Sequence, residues 1–292
     1  MSSGLDRRQV RRAFARAAPT YAAHALLQAE VGARLLAQLD ESDTAATLVL
    51  DVGSGPGSSV PALQRRWPQA RVVAVDFALP MLRLAAAQVS VGAGFDCVAG
   101  DAQALPLAAA SVDVVYANLC LQWCDDPGLV LAEFRRVLRP GGTLLFSTFG
   151  PDTLHELRSA FGAVDARPHV SGFIDMHDIG DGLLMSGFRD PVMAREDLTV
   201  TYAHARDLMR DLHAIGATNA ASQRMRALTG KRHLARVIEA YEAFRVDGRL
   251  PASYEVVYAR ALAPDPGHPL RNAGMDIASF SPASLRGSRV RR

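Results

Sequence analysis

Cysteine is scarce in this 292-residue chain: there are three, Cys97, Cys120 and Cys124, an odd number with no C-x-x-C spacing. Neither a disulfide framework nor a zinc knuckle is expected on that basis, and a reducing cytoplasm is the expected compartment. No run of about 18 apolar residues occurs, so no membrane span is expected. The polar, arginine-rich N-terminus also lacks the apolar stretch of a secretory signal. An excess of one charge is missing too: 32 basic residues stand against 30 acidic ones, a net charge of +2. The molecule as a whole is then no electrostatic magnet, and neither nucleic acid nor a membrane is expected as a partner. No internal repeat is visible. His24, His169 and His177 are scattered without metal-ligand spacing, so they read as structural histidines and no metal is expected.

What is present is an ordinary soluble composition, 49% apolar and 21% charged. It is enough for a large core in one large or two small domains. Residues 6–18 read as an amphipathic helix, with Val10, Phe14 and Ala17 on one face and Arg7, Arg8, Arg11, Arg12 and Arg16 over the other half. Pro19 is expected to end it, and a second helix to run from about Tyr21 to Leu39. From Leu48 onward strands and helices alternate. Strands are expected at Leu48–Val52, Arg71–Asp76, Phe95–Ala99, Ser111–Ala117 and Thr143–Thr148. Helices are expected after Gly57, over Pro80–Val89 and over Pro127–Leu138, the last broken by Arg139-Pro140-Gly141-Gly142. Such alternation predicts an α/β fold, a mostly parallel sheet with helices on both faces. After Gly150 it lapses into helices over 152–165, 175–187, 204–213 and 231–245, with strands at Leu198–Tyr202 and Pro251–Leu262. The expected division is N-terminal lid helices (1–44), a cofactor-binding core (45–150), a helical lid insertion with the final strands of the same domain (151–262), and a disordered basic tail (263–292).

The chemistry concentrates at strand ends. Leu48-Val49-Leu50-Asp51-Val52-Gly53-Ser54-Gly55-Pro56-Gly57 is a buried strand closing on an acidic residue and a glycine-rich turn. Ligands of open parallel sheets sit beyond such carboxyl ends, and Gly53, Gly55 and Gly57 let the backbone approach closely. A dinucleotide would place a pyrophosphate at the helix N-terminus. S-adenosylmethionine has no phosphate there but a sulfonium and an ammonium, beside which a carboxylate such as Asp51 is sensible. Asp76, ending the second strand, suits two ribose hydroxyls, and Asp101, ending the third, suits an adenine amino group. The neighbours Phe77, Met81 and Ala102 complete the expected pocket.

This set resembles the class I S-adenosylmethionine-dependent methyltransferases over about residues 45–150. The resemblance implies a Rossmann-like, seven-stranded sheet with a reversed last strand. It also places Asn118 and Leu119 beside the methionine part of the cofactor. Further segments are similar to the malonyl-acyl carrier protein O-methyltransferase family of biotin synthesis: Arg11-Arg12-Ala13-Phe14-Ala15-Arg16-Ala17-Ala18 with Tyr21, His24 and Gln28, then Asn118–Cys124, Ala163–His169, Ile215–Thr218 and Arg249–Tyr254. The chain departs from that pattern at Ser171-Gly172, where some members carry Asn-Arg, and in its basic tail.

The resemblance implies methyl transfer to the free carboxylate of a malonyl thioester, giving the methyl ester that primes pimeloyl synthesis. A carboxylate, with an ordinary pKa near 4, is already ionised at neutral pH and needs no general base, which agrees with the absence of an obvious catalytic dyad. Tyr21 and Trp123 are the candidate positioning residues. Arg7, Arg8, Arg11, Arg12 and Arg16 are the candidate docking face for malonyl-loaded acyl carrier protein, an acidic partner, or malonyl-coenzyme A. Arg206, Arg210, Arg224, Arg226, Lys231 and Arg232 form a second basic concentration. Two alternatives stay open: a protein arginine hydroxylase or assembly factor resembling the mitochondrial complex I assembly proteins, and a methyltransferase acting on another small acid or a quinone precursor.

Overall fold

A computed structural model describes residues 4–39, 45–88, 95–221, 230–265, 270–272 and 275–277. In chain order the elements that matter are α1 (Arg7–His24), α2 (Leu26–Ala37), β1 (Leu48–Val52), α3 (Val60–Arg66), β2 (Arg71–Asp76), α4 (Leu79–Ala87), β3 (Phe95–Ala99), β4 (Val112–Asn118), α5 (Pro127–Val137) and β5 (Leu138–Phe149). They continue with α6 (His155–Gly162), α7 (Met176–Met185), β6 (Arg189–Tyr202), α8 (Ala205–Ala214), α9 (Lys231–Glu242) and β7 (Leu250–Leu262). The seven strands form one sheet in the order β3-β2-β1-β4-β5-β7-β6. β7 runs antiparallel to both of its neighbours, while the β1–β5 pairings are parallel.

The central strands are covered on both faces, which is why they read as unbroken apolar runs. Alternation along each strand divides their side chains between two cores. Val49, Val72 and Val114 join Val31 and Leu35 of α2 with Leu63 and Trp67, and Leu50, Val73 and Val115 join Val130, Leu131 and Phe134 of α5. The strand order reverses between β1 and β4, where a ligand crevice opens in sheets of this kind.

Four expectations are corrected. α1 does not stop at Pro19 but runs to His24. Pro19 is exposed, so the Ala15 carbonyl it deprives of a helical partner can face water. Ala17 and Ala18 pack inward just before it, and Thr20 Oγ1 donates to the Ala17 and Ala214 carbonyls at 3.1 and 2.7 Å. The break falls at Ala25 instead. β6 starts at Arg189, not Leu198. It is an edge strand whose residues alternate between exposed and half-buried, so charges occupy its solvent face and obscure the pattern. β5 absorbs the Arg139–Gly142 segment, expected as a break, through a register shift opposite Val112 and Val114. Finally, the segment expected to be an unstructured tail contains an antiparallel pair, β8 (Leu270–Asn272) with β9 (Met275–Ile277). Its arginines, Arg286, Arg289, Arg291 and Arg292, lie outside the described residues.

Candidate active site

The turn after β1 is fastened to β2: the N–H groups of Gly53 and Ser54 both donate to the Val75 carbonyl, at 2.8 and 3.1 Å. Gly53 has φ +71°, and a Cβ there would lie 2.7 Å from Cys120 Sγ, so only glycine fits. The Gly55 N–H donates to Asp76 Oδ2 at 2.9 Å, and the Ala78 N–H to Oδ1 at 2.7 Å. The backbone thus aims the carboxylate that ends β2. Burial raises the pKa of Asp76, and these N–H groups pull it back.

Asp51 lies beneath the turn and is 1% exposed. Its Oδ2 has no hydrogen-bond partner. Burial first, then the neighbouring charge of Asp76, pushes its pKa up to about 8. Two buried carboxylates side by side, one with an unsatisfied oxygen, make a site that favours an added cation and added donors. These residues therefore fit a ligand bearing ribose hydroxyls and positive charge, as S-adenosylmethionine does. Gly57, expected at the ligand, is placed against α4, where a Cβ would meet Ala85 Cβ at 3.1 Å.

Gly53, Gly55, Asp76, Phe77, Met81, Asp101, Ala102, Asn118 and Leu119 line one cavity of about 250 Å³, as do Tyr21 and Trp123. Asp51 and Gly57 do not line it. The side chain of Asn118 is spent on structure: Nδ2 donates to the Gln28 carbonyl of α2 at 2.8 Å, and Oδ1 accepts from Ser147 Oγ at 2.7 Å. Leu119 is held at φ +50°, an uncommon conformation for leucine. Its N–H is fixed by the carbonyl and hydroxyl of Ser147, at 3.1 and 3.0 Å.

The other side of the cavity is closed by α1. Arg7, Phe14 and Tyr21 recur every seven residues, two helical turns, and all three line the cavity. The Phe14 ring lies 5.1 Å from that of Trp123 in an edge-to-face contact at 86°, 6.4 Å from Phe77 and 6.5 Å from Tyr21. Tyr21 covers the glycine turn, since a Cβ on Gly55 would stand 3.8 Å from its Cε1. Burial, then the charges of Asp76, Cys120 and Asp51, raise its pKa, so the phenol remains a neutral donor. Arg7, with its side chain 50% exposed, also pairs with Asp101, the carboxylate expected at the adenine end. Arg8, Arg11, Arg12 and Arg16 are exposed. Arg16 of α1 and Arg210 of α8 line the same groove on the outer side. Arg206, Lys231 and Arg232 are also exposed, whereas Arg224 and Arg226 lie outside the described residues.

Beyond the glycine turn the cavity becomes apolar, walled by Phe149, Leu154, Leu157, Phe173, Val200 and Tyr254. Among the described residues, its basic lining residues are Arg7, His24 and His169. Each already faces a carboxylate: Asp101, Asp211 at 2.9 Å and Asp165 at 2.9 Å. His177, outside the cavity, pairs with Asp175 at 2.8 Å. Two cavity-lining oxygens, Thr218 Oγ1 and Gln28 Oε1, are buried without hydrogen-bond partners. Sequence reasoning assigned no role to Phe14, Thr218 or the apolar wall, and gave Arg7 no partner at the cavity. The two-turn phase shared by Arg7, Phe14 and Tyr21 was the available signal.

Residues 50–146 match the family described as a methyltransferase domain. The chain is 47% identical to the malonyl-[acyl-carrier protein] O-methyltransferase of Xylella fastidiosa over 96% of each chain. It is 48% identical to the protein of the same name from a Methylovorus species, over 89% of this chain and 90% of that one. Among solved structures, the YcgJ protein of Bacillus subtilis superposes with a TM-score of 0.55 at 17% identity, covering 80% of this chain and 98% of that one. A Haemonchus contortus phosphoethanolamine N-methyltransferase, solved with S-adenosyl-L-methionine, superposes with a TM-score of 0.51 at 16% identity, covering 80% of this chain and 52% of that one. At these identities the structural likenesses establish the fold.

Proposed function

Because the chain belongs to the malonyl-[acyl-carrier protein] O-methyltransferase family, we propose that it moves the methyl group of S-adenosylmethionine to the free carboxylate of a malonyl thioester. The observation that carries this reading is the two-part cavity. A carboxylate-rich floor at the ends of β1, β2 and β3 continues into an apolar chamber under α1 and the helices after β5. When bound, S-adenosylmethionine supplies an electrophilic methyl group. Asp76 is available to the ribose hydroxyls and Asp101 and Ala102 to the adenine, while Asp51, which does not line the cavity, acts on the positive charge through its field. The relatives favour this reading over a hydroxylase or assembly factor.

The acceptor carboxylate is already ionised, so the protein's task is placement and the exclusion of water. A strongly bound cation would blunt the nucleophile, and among the described residues each basic side chain lining the cavity already faces a carboxylate of its own. Neutral donors suit the task better. The Tyr21 phenol and the unpartnered Thr218 hydroxyl can hold the carboxylate without quenching its charge. Trp123, braced by Phe14, walls the position.

The partner is malonyl-loaded acyl carrier protein, with malonyl-coenzyme A as the lesser substrate. Arg8, Arg11, Arg12 and Arg16, continued by Arg210 across the groove, give an acidic partner a basic landing surface. Among the described residues no helix is long and apolar enough to cross a membrane, and the three cysteines are free, which suits a cytoplasmic enzyme. The test uses isotopically labelled S-adenosylmethionine with malonyl-carrier protein, malonyl-coenzyme A and free malonate. Label is expected on the carrier-bound malonyl group ahead of the other two. Label on none of them, together with failure to rescue a biotin-requiring strain lacking its own methyltransferase, would overturn the reading.

A further inference from the structure

Asp165, His169 and His233 come together at the base of the helices that follow β5. Asp165 and His169 lie in the segment after α6, and His233 is in the first turn of α9, far away in sequence. The ligand atoms of all three lie within 4.8 Å of one another. Asp165 Oδ2 is the shared vertex, 3.0 Å from His169 Nε2 and 3.3 Å from His233 Nε2. Four-coordinate zinc with nitrogen and oxygen ligands at about 2.0–2.1 Å has ligand-to-ligand edges of about 3.3–3.4 Å. Two edges of that tetrahedron are therefore nearly formed, and the third, between the two imidazole nitrogens, is within 4.8 Å and would close by movement of His233.

Three further observations separate this cluster from a chance meeting of polar side chains. His233 Nε2 is buried and lacks a hydrogen bond of acceptable geometry, although it points toward Asp165. The Arg167 N–H donates to Asp165 Oδ1 at 2.9 Å, which orients the carboxylate; His169 Nε2 faces both of its oxygens, at 2.9 and 3.0 Å, and His233 Nε2 faces Oδ2. The ring of Phe161 stacks on His169 at 4.0 Å and 11°, fixing its plane. Oriented ligands backed by an outer shell are what a metal site requires.

We propose that Asp165, His169 and His233 bind a divalent transition-metal ion, zinc by preference, with water in the remaining position. Two imidazoles and one carboxylate are the donor set suited to zinc among common cellular divalents, whereas magnesium and calcium favour oxygen ligands. The ion would staple the segment after α6 to α9. His169 also lines the main cavity, so the staple fixes one of its walls.

The test is zinc titration of the tag-free, full-length protein against a chromophoric chelator, together with metal analysis of protein purified without chelators. One zinc per chain is expected, and cobalt in its place should give the visible absorption of a four-coordinate site. His233→Ala and His169→Ala should each weaken binding by more than the roughly 10–100-fold typical of losing an outer-shell partner. His233→Gln, closer to histidine in size, guards against a folding defect in the alanine variant. His177→Ala, at a histidine whose side chain is 87% exposed, should bind as the parent does. A parent protein that takes up less than one zinc per chain, or a folded His233→Gln protein that binds as tightly as the parent, would overturn the proposal.

Discussion

Among single residues, Asp51 makes the sharpest claim. A carboxyl whose folded pKa lies above its unfolded value keeps a proton in the folded state that the unfolded chain has released. Its contribution to stability therefore declines as pH rises from about 4, the unfolded value, towards about 8, the folded one. A positive ligand beside it reverses the shift, so cofactor binding should release a proton in this window and tighten by up to about tenfold per pH unit. Calorimetry at about pH 6 and 8, in buffers of different ionisation heat, checks this; a pH-independent affinity with no proton release counts against it. Asp51→Asn should stabilise the ligand-free protein by about 1–2 kcal/mol at pH 8 while weakening cofactor binding about 10-fold or more. Tyr21→Phe tests the neutral donor: kcat/KM should fall roughly 5–30-fold with the affinity for S-adenosylmethionine little changed. Asp51 and Asp76 were legible because strand ends have addresses in an alternating pattern. Arg7 was less so: in a run of arginines, charge alone does not say which one meets a carboxylate, and only its phase with Phe14 and Tyr21 sets it apart.

Two predictions belong to α1 as an element. Pro19→Ala restores the hydrogen bond to the Ala15 carbonyl in an exposed stretch of helix and should raise stability by about 1–3 kcal/mol, read from denaturant unfolding. A loss of stability would mean that the proline fits its site better than the helix rule allows. Reversing Arg8 and Arg12 to Glu should lower kcat/KM for carrier-bound malonate about tenfold at low salt, with a smaller effect at high salt and little on malonyl-coenzyme A. Equal rates on the carrier substrate at low salt would remove this face from docking. Elements were legible where burial imposed a pattern. β1, β2 and β4 are buried on both faces and announce themselves as apolar runs. The first half of β6 does not, because it lies at the sheet edge and presents Arg189, Asp190, Arg195, Glu196 and Asp197 within a strand of half-buried positions. Pro19 misled in the opposite direction: a strong local rule yielded to packing at Ala13, Ala17 and Ala18.

For the whole molecule, a ligand that binds only the folded state stabilises it by mass action. S-adenosylmethionine at a hundred times its dissociation constant should add about 2.7 kcal/mol and raise the melting temperature by about 5–10 °C. Asp76→Ala should abolish most of that rise, and a full rise in the variant would place the cofactor elsewhere. The arrangement of α1 has a further consequence for timing. Its 18 residues form a rod about 27 Å long, with Arg7 fastened over Asp101 near one end and Tyr21 over Gly55 near the other. The arginines proposed to receive the carrier, Arg8, Arg11, Arg12 and Arg16, ride on the same rod. On the docking face proposed above, a carrier that grips these arginines would press on the helix that roofs the cavity, so docking and enclosure of the substrate would be coupled through one rod.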